Sequence, residues 1–285
     1  MYDVIIYFIL FSFVGWLCET VFCSVAEKKF VYRGFLNGPI CPVYGFGGLI
    51  VVYLLAPFRD NILLLFLLGM LATTVLEYLT SYVLELAFQT RWWDYSERKF
   101  NLNGRVCLQF SLMFGVLAVL GVKLLYPLAT RLISVIPQTG RPILALILAG
   151  IFLTDFVLTV YGLLSFNGTL RTLERNYKEF RQKLEAVQPA QAGYKPLAEL
   201  FKTEWVSLKD VMEKAGDQLS AEDEELLALY TDKEERLKMI SSFTRGQVKR
   251  ISQAFPNMRN KRHQHYFALF KQKINQRIES IRREN

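Results

Sequence analysis

A chain of 285 residues with a formal net charge of +8 and 52% hydrophobic residues has room for one or two domains. Its four cysteines, Cys18, Cys23, Cys41 and Cys107, are too few and too badly placed for a disulfide framework. The charge divides unevenly: residues 1–165 hold eleven Lys and Arg against nine Asp and Glu, and residues 166–285 hold twenty-three against seventeen. Long apolar runs before residue 166 and charge-dense sequence after it predict an all-α fold, a polytopic membrane helical bundle of about five spans over 1–166 with a cytosolic helical tail over 167–285.

The first apolar run, Val4 to Val25, lacks a basic leader and passes Glu19 without a small-residue cleavage site, so no secretory signal is expected. Arg33 to Gly45, RGFLNGPICPVYG, follows it. Gly34, Gly38, Pro39 and Pro42 break any helix there, which predicts a fixed non-helical loop at a membrane boundary. Such backbone is tolerated near lipid only where protein or a water-filled cavity covers it. Further spans are expected at Val43–Phe58, which is short, and at Ile62–Phe88, Val106–Tyr126 and Pro142–Phe166. Between the third and fourth lies a second polar loop, Arg91 to Arg105, whose Trp92, Trp93 and Tyr95 read as interface anchors and whose Asn101, Asn103 and Gly104 favour turns.

Lys and Arg concentrate in the loops 26–42 and 89–105 and in the tail, which predicts the N-terminus outside and both loops and the tail in the cytoplasm. Four carboxylates fall inside the spans: Glu19, Glu77, Glu85 and Asp155. Each is costly in hydrocarbon and is expected to face the bundle interior. The stripes Ser12–Gly15–Glu19, Thr73–Glu77–Thr80–Ser81 and Asp155–Thr159–Gly162 are expected to face one another, although small and polar residues also serve as interhelical packing. Glu85, near the interface, reads as structural. The candidate site is a cytoplasm-facing polar cavity walled by the two loops, with Arg33, Asn37, Asn103 and Arg105 as donors, Glu19, Glu77, Asp94 and Asp155 as carboxylates, and Tyr44 beside them. It suits a small polar solute or a lipid head group. A membrane-embedded enzyme acting on head groups, and a sensor signalling through the tail, are the alternatives, but no nucleophile with its base or metal triad can be read from the spacing.

In the tail, Asn167 is expected to cap a helix to about Glu185, with a linker at Gln188–Pro196 and further helices at about 197–214, 220–255 and, after Pro256 and Asn257, to about Arg283. Acids dominate from Glu213 to Glu235 and bases from Arg245 to Arg283, so the two stretches can pair, or the basic one can lie on anionic lipid. Nucleic acid is not an expected partner. His263 and His265 lack further ligands nearby, so neither a metal nor any other cofactor is expected.

Gly15, Trp16 and Glu19 in the first span, RGFLNGPICPVYGFG from Arg33 to Gly47, and WDYS with FNLNGRVCLQFS from Trp93 to Ser111 together resemble the bacterial membrane family named putative ABC transporter permease, type IV, or CmpB-like. The resemblance covers about the first 165 residues and leaves the tail outside. It implies a multi-spanning permease-like protein. The chain has no GxxxxGK[ST] phosphate loop, so a permease of this kind needs a separate ATPase subunit docked from the cytoplasm.

Overall fold

The computed structural model describes residues 2–186 and, further along the chain, 250, 251, 253–255 and 258–260. The helices are α1 (Tyr2–Glu27), α2 (Pro42–Leu55), α3 (Ile62–Phe88), α4 (Leu108–Leu120), α5 (Tyr126–Ser134) and α6 (Gly140–Ala186). Four two-residue strands accompany them: β1 (Thr90–Arg91), β2 (Asn101–Leu102), β3 (Val106–Cys107) and β4 (Arg259–Asn260). Among the described residues four helical stretches are long and apolar enough to cross a membrane, Tyr2–Glu27, Ile62–Phe88, Leu108–Ser134 and Gly140–Gly168, and Pro42–Phe58 is a shorter apolar helix. The protein is a helical membrane bundle, and Phe22, Leu63, Val83, Leu128 and Leu146 stand exposed on its outer faces, as lipid contact requires.

The fourth span does not stop at Tyr126. Pro127 cannot supply the N–H of a regular turn, and the helix passes it through a π-helical segment, Gly121–Leu125, before continuing as α5. Asn61 ends the turn before α3 by accepting the Leu64 N–H at 3.0 Å.

Small residues set how closely the helices approach. A side chain at Gly15 would run into the Tyr44 ring, and one at Gly45 would run into Ser12 and Phe8, so α1 and α2 pack backbone to backbone. Gly69 against Ala118 and Gly115 against Phe66 do the same for α3 and α4, which also share a Thr74–Ser111 hydrogen bond of 2.8 Å. Two apolar clusters tie the pairs together: Ile6, Tyr7, Phe11, Val52, Ala129, Ile133 and Ala145 in one, and Val51, Leu55, Leu65, Ala118 and Val122 in the other. Helix α2 contributes to both clusters.

The loop after α1 turns back into the bundle alongside the helix it has just left. Its rungs are Val31 N–H on Ser24 Oγ (3.0 Å), Arg33 N–H on Thr20 Oγ1 (3.4 Å) and Cys41 N–H on the Ser12 carbonyl (3.1 Å). From Ser24 to Ser12 the chain therefore re-enters by about 18 Å at the helical rise, against a hydrocarbon core of about 30 Å. Helix α2 is short because it starts at that depth.

The chain divides into two compact units, residues 1–164 with 246–285, and residues 165–245. In the first, residues 250–260 join the two loops: β4 pairs antiparallel with β1, Thr90 opposite Asn260 and Arg91 opposite Arg259. Those two residues form a strand where the sequence predicts the start of a last helix. The second unit is described over 165–186, the end of α6. Asn167, expected to cap a new helix, lies inside α6 instead. Gly168 costs only about 1 kcal/mol in a helix interior, and the leucines on either side keep the pattern going. The expected helix at 197–214, residues 220–249 of the helix expected over 220–255, the acidic stretch with most of the basic one, and the His263–His265 pair lie outside the described residues, while residues 250, 251, 253 and 254 are helical as expected.

Candidate functional site

Backbone that re-enters a bundle must find partners there. Asp155, midway along the membrane part of α6, takes the N–H of Gly38 on Oδ2 (2.7 Å). Its Oδ1 takes the N–H of Asn37 (3.0 Å) and the Asn37 side-chain amide (2.9 Å). That amide also reaches Thr159 Oγ1 at 3.0 Å, and the Tyr32 hydroxyl donates to the Asn37 carbonyl at 2.7 Å. The Gly34 and Phe35 carbonyls are covered from the far end of the chain: Arg250 donates through Nη1 to the first (3.1 Å) and through Nη2 to the second (2.9 Å). Gly34 sits at a φ of 115°, where a side chain would be strained. Asn37 and Asp155 thus hold the loop in place.

Glu19 receives Arg33 through Nε (3.0 Å) and Nη2 (2.8 Å), both on Oε1. Burial works against the Arg33 charge, but Glu19, joined by Cys23 and Tyr44, outweighs it and the guanidinium is held above its ordinary value. The Cys41 thiol donates to Glu19 Oε2 at 3.8 Å; burial, then the Glu19 charge, push it well above the usual thiol range. Tyr44, one turn into α2, is in electrostatic reach of Glu19, Cys41 and Tyr95.

The second loop is a built structure. Asn103 (φ 55°) and Gly104 (φ 67°) are both left-handed, as a type I′ turn demands, and the Arg105 N–H closes that turn on the Leu102 carbonyl at 3.0 Å. Strands β2 and β3 pair on either side of it, Leu102 opposite Val106 and Asn101 opposite Cys107. Arg105, buried, bonds Glu85 Oε2 (2.9 Å) and Ser81 Oγ (3.1 Å) on α3 and lies over the Tyr78 and Tyr82 rings. Arg91 reaches the same Glu85 oxygen at 3.4 Å and Asp94 at 3.5 Å. Asp94 otherwise accepts from the Ser96 N–H and hydroxyl, a local turn. Asn103 is exposed and donates to the Tyr78 hydroxyl at 3.1 Å.

Glu77 stands between these groups. Among the described residues its Oε1 receives the Tyr95 hydroxyl, at 3.4 Å, and its buried Oε2 has no hydrogen-bond partner. Burial first, then Glu77, Cys107 and Glu19, push the Tyr95 phenol above its ordinary range, so these four side chains share one electrostatic neighbourhood. Tyr95 is pinned by stacking on Phe110, with centroids 4.9 Å apart.

Of the nine residues singled out in the sequence, the fold brings Glu19, Arg33, Tyr44 and Glu77 to one centre. Asn37 and Asp155 form a second contact that secures the first loop. Asp94, Asn103 and Arg105 belong to the second hairpin. The three stripes do not simply face each other, because the loops come between: the α6 stripe meets Asn37 and Gly38, and the α3 stripe meets Tyr95 and Arg105. Trp92 is no interface anchor either. It is buried against Phe35, Phe88 and Phe255, while the Trp93 indole donates to the Arg105 carbonyl at 2.9 Å.

Sequence reasoning read Tyr95 as an interface anchor and Phe255 as one of the tail's aromatic residues, and placed neither Phe255 nor Arg250 against the membrane loops. Phe255 packs under the Arg33 guanidinium at 4.7 Å, and Ile251 and Ala254 are fully buried. A signal existed: Ile251, Ala254 and Phe255 repeat at helical spacing within otherwise charged sequence, which marks one covered face.

No curated protein and no solved structure matches the chain. Residues 6–160, just over half of it and containing both loops, match the family described as Putative ABC-transporter type IV, so the chain belongs to that family of ABC-transporter-type membrane proteins.

Proposed function

We propose that the chain is a permease-like subunit whose two loops wall a polar pocket for a small polar solute or a lipid head group. What supports this reading is the convergence of both loops, from the same end of the bundle, on buried Glu77 and the half-buried Glu19, Arg33, Tyr44 and Tyr95 around it. A fixed polar centre inside a membrane bundle is costly, and function is the usual reason for one. In this reading residues 1–166 are the membrane domain and 167–285 the cytosolic tail. The N-terminus lies outside and both loops face the cytoplasm, following their Lys and Arg excess. A separate ATPase subunit supplies the energy, and basic residues of the tail rest on anionic lipid.

Native mass spectrometry of the full chain, extracted gently from a membrane in which it is expressed with its neighbours, tests the subunit assignment. An ATPase co-purifying in fixed ratio supports it; a chain that is always recovered without one overturns ATP-driven transport. For orientation, a cysteine placed at exposed Lys99 is expected to react with an impermeant maleimide in inside-out vesicles only.

A further inference from the structure

One acidic group at the polar centre has no cation beside it among the described residues. Arg33 is spent on Glu19, and Arg105 and Arg91 on Glu85, with Asp94 also on Arg91. Asp155 is satisfied by amides. Among the described residues Glu77, only 8% exposed, has one hydroxyl at 3.4 Å, longer than an ordinary O–H···O bond, and one oxygen without a partner. A carboxylate buried without a partner is among the costliest groups a bundle can hold. An anionic ligand would have to break one of the arginine pairs to bind. A cation breaks no arginine pair: it meets the bare Glu77 oxygen beside the Tyr95 hydroxyl, with Glu19 in electrostatic reach.

We propose that Glu77 is the binding point for an ammonium group, carried either by a free amine solute or by an amine lipid head group. The inference narrows the substrate class of the pocket proposed above and rests on that reading. Tyr95 covers Glu77, so the second loop must shift for the ligand to enter. The titratable groups facing Glu77 are Tyr95 from that loop and Glu19 from α1, the latter paired with Arg33 of the first loop.

The test is equilibrium binding to the full chain in phosphatidylglycerol nanodiscs, followed by thermal unfolding. The probes are methylammonium, ethanolamine and choline, with acetate, phosphate and glycerol as comparisons. At least one ammonium should stabilise the protein saturably, with apparent affinity at least about tenfold weaker in Glu77→Gln and partly kept in Glu77→Asp. Discs containing phosphatidylethanolamine separate the sources: if a head group is the occupant, they stabilise the wild type through Glu77 and abolish its response to free amines. On the unmutated protein, the effective ammonium should also slow carbodiimide modification of Glu77, which keeps the test decisive should the variants fail to fold. Equal responses in wild type and Glu77→Gln, a preference for the anions, or no Glu77-dependent response in either lipid overturns the inference. None of these readouts needs transport or an ATPase, so a failed subunit assignment and a failed ammonium site give different results.

Discussion

Asp155 shows how a residue chosen for its chemistry can turn out to serve the backbone. A carboxylate deep in a span invites a ligand, yet both its oxygens are occupied by the loop it holds. Replacing it by asparagine keeps the shape but turns one acceptor into a donor facing an N–H, Gly38 in the observed rotamer. Asp155→Asn is therefore expected to cost about 2–4 kcal/mol, the penalty of one orphaned buried donor plus a lost charge-assisted bond. Unfolding in mixed micelles measures it, and a cost below about 0.5 kcal/mol would mean that the loop is held by other contacts. At this scale the sequence was legible in kind and not in pairing. Composition and spacing marked Glu19, Glu77 and Asp155 as unusual, because few charged side chains sit in apolar runs, and Arg33 through the broken loop that carries it. They could not tell which charges cancel each other, since Glu19 with Arg33 and Glu85 with Arg105 meet only after the loops fold back.

Element lengths were legible wherever hydropathy alone decides them, and α3 has the bounds its apolar run predicts. They were misread where a breaker is absorbed, as at Pro127, or where no breaker is present, as at Asn167. The short second helix is the instructive case, since its length follows from the depth at which the re-entrant loop releases the chain. That depth depends on α1 and α2 lying close enough for the Cys41 N–H to reach the Ser12 carbonyl, which Gly15 and Gly45 permit. Gly15→Ala is expected to push Tyr44 off α1 and destabilise the bundle by about 1–3 kcal/mol, the usual cost of overpacking. Unfolding of the variant checks the magnitude. Repacking should be specific: adding Tyr44→Ala is expected to restore most of the loss, whereas Tyr53→Ala, on the exposed face of α2, should restore none.

For the molecule as a whole, residues 250–260 belong with the membrane loops, which the sharp change of composition near residue 166 concealed. Arg250 covers two loop carbonyls, and Phe255 closes over Trp92 and Arg33. Arg250→Ala is therefore expected to loosen the cover and expose Cys41 to a thiol reagent, with Cys18, already exposed, reacting as before. In wild type the raised Cys41 thiol keeps its thiolate scarce, so its labelling should lag behind an ordinary thiol until the pH is well above about 8.5. Peptide mass spectrometry of labelled protein reads both effects. Unchanged Cys41 labelling in a folded Arg250→Ala protein would show that the arginine is not what closes the loop.

The same contact also sets a clock. Arg250 follows Gly34 by 216 residues, so a ribosome working at about 5–20 residues per second emits the guanidinium about 10–40 seconds after the carbonyls it must satisfy. Throughout that interval the nascent loop has its other partners on α1 but lacks the last one, and Asp155 itself arrives only partway through. The re-entrant segment is thus a late-maturing part of the protein. A chain stalled before residue 250 should carry its helices in place and that segment still open to the solvent or to the insertion machinery.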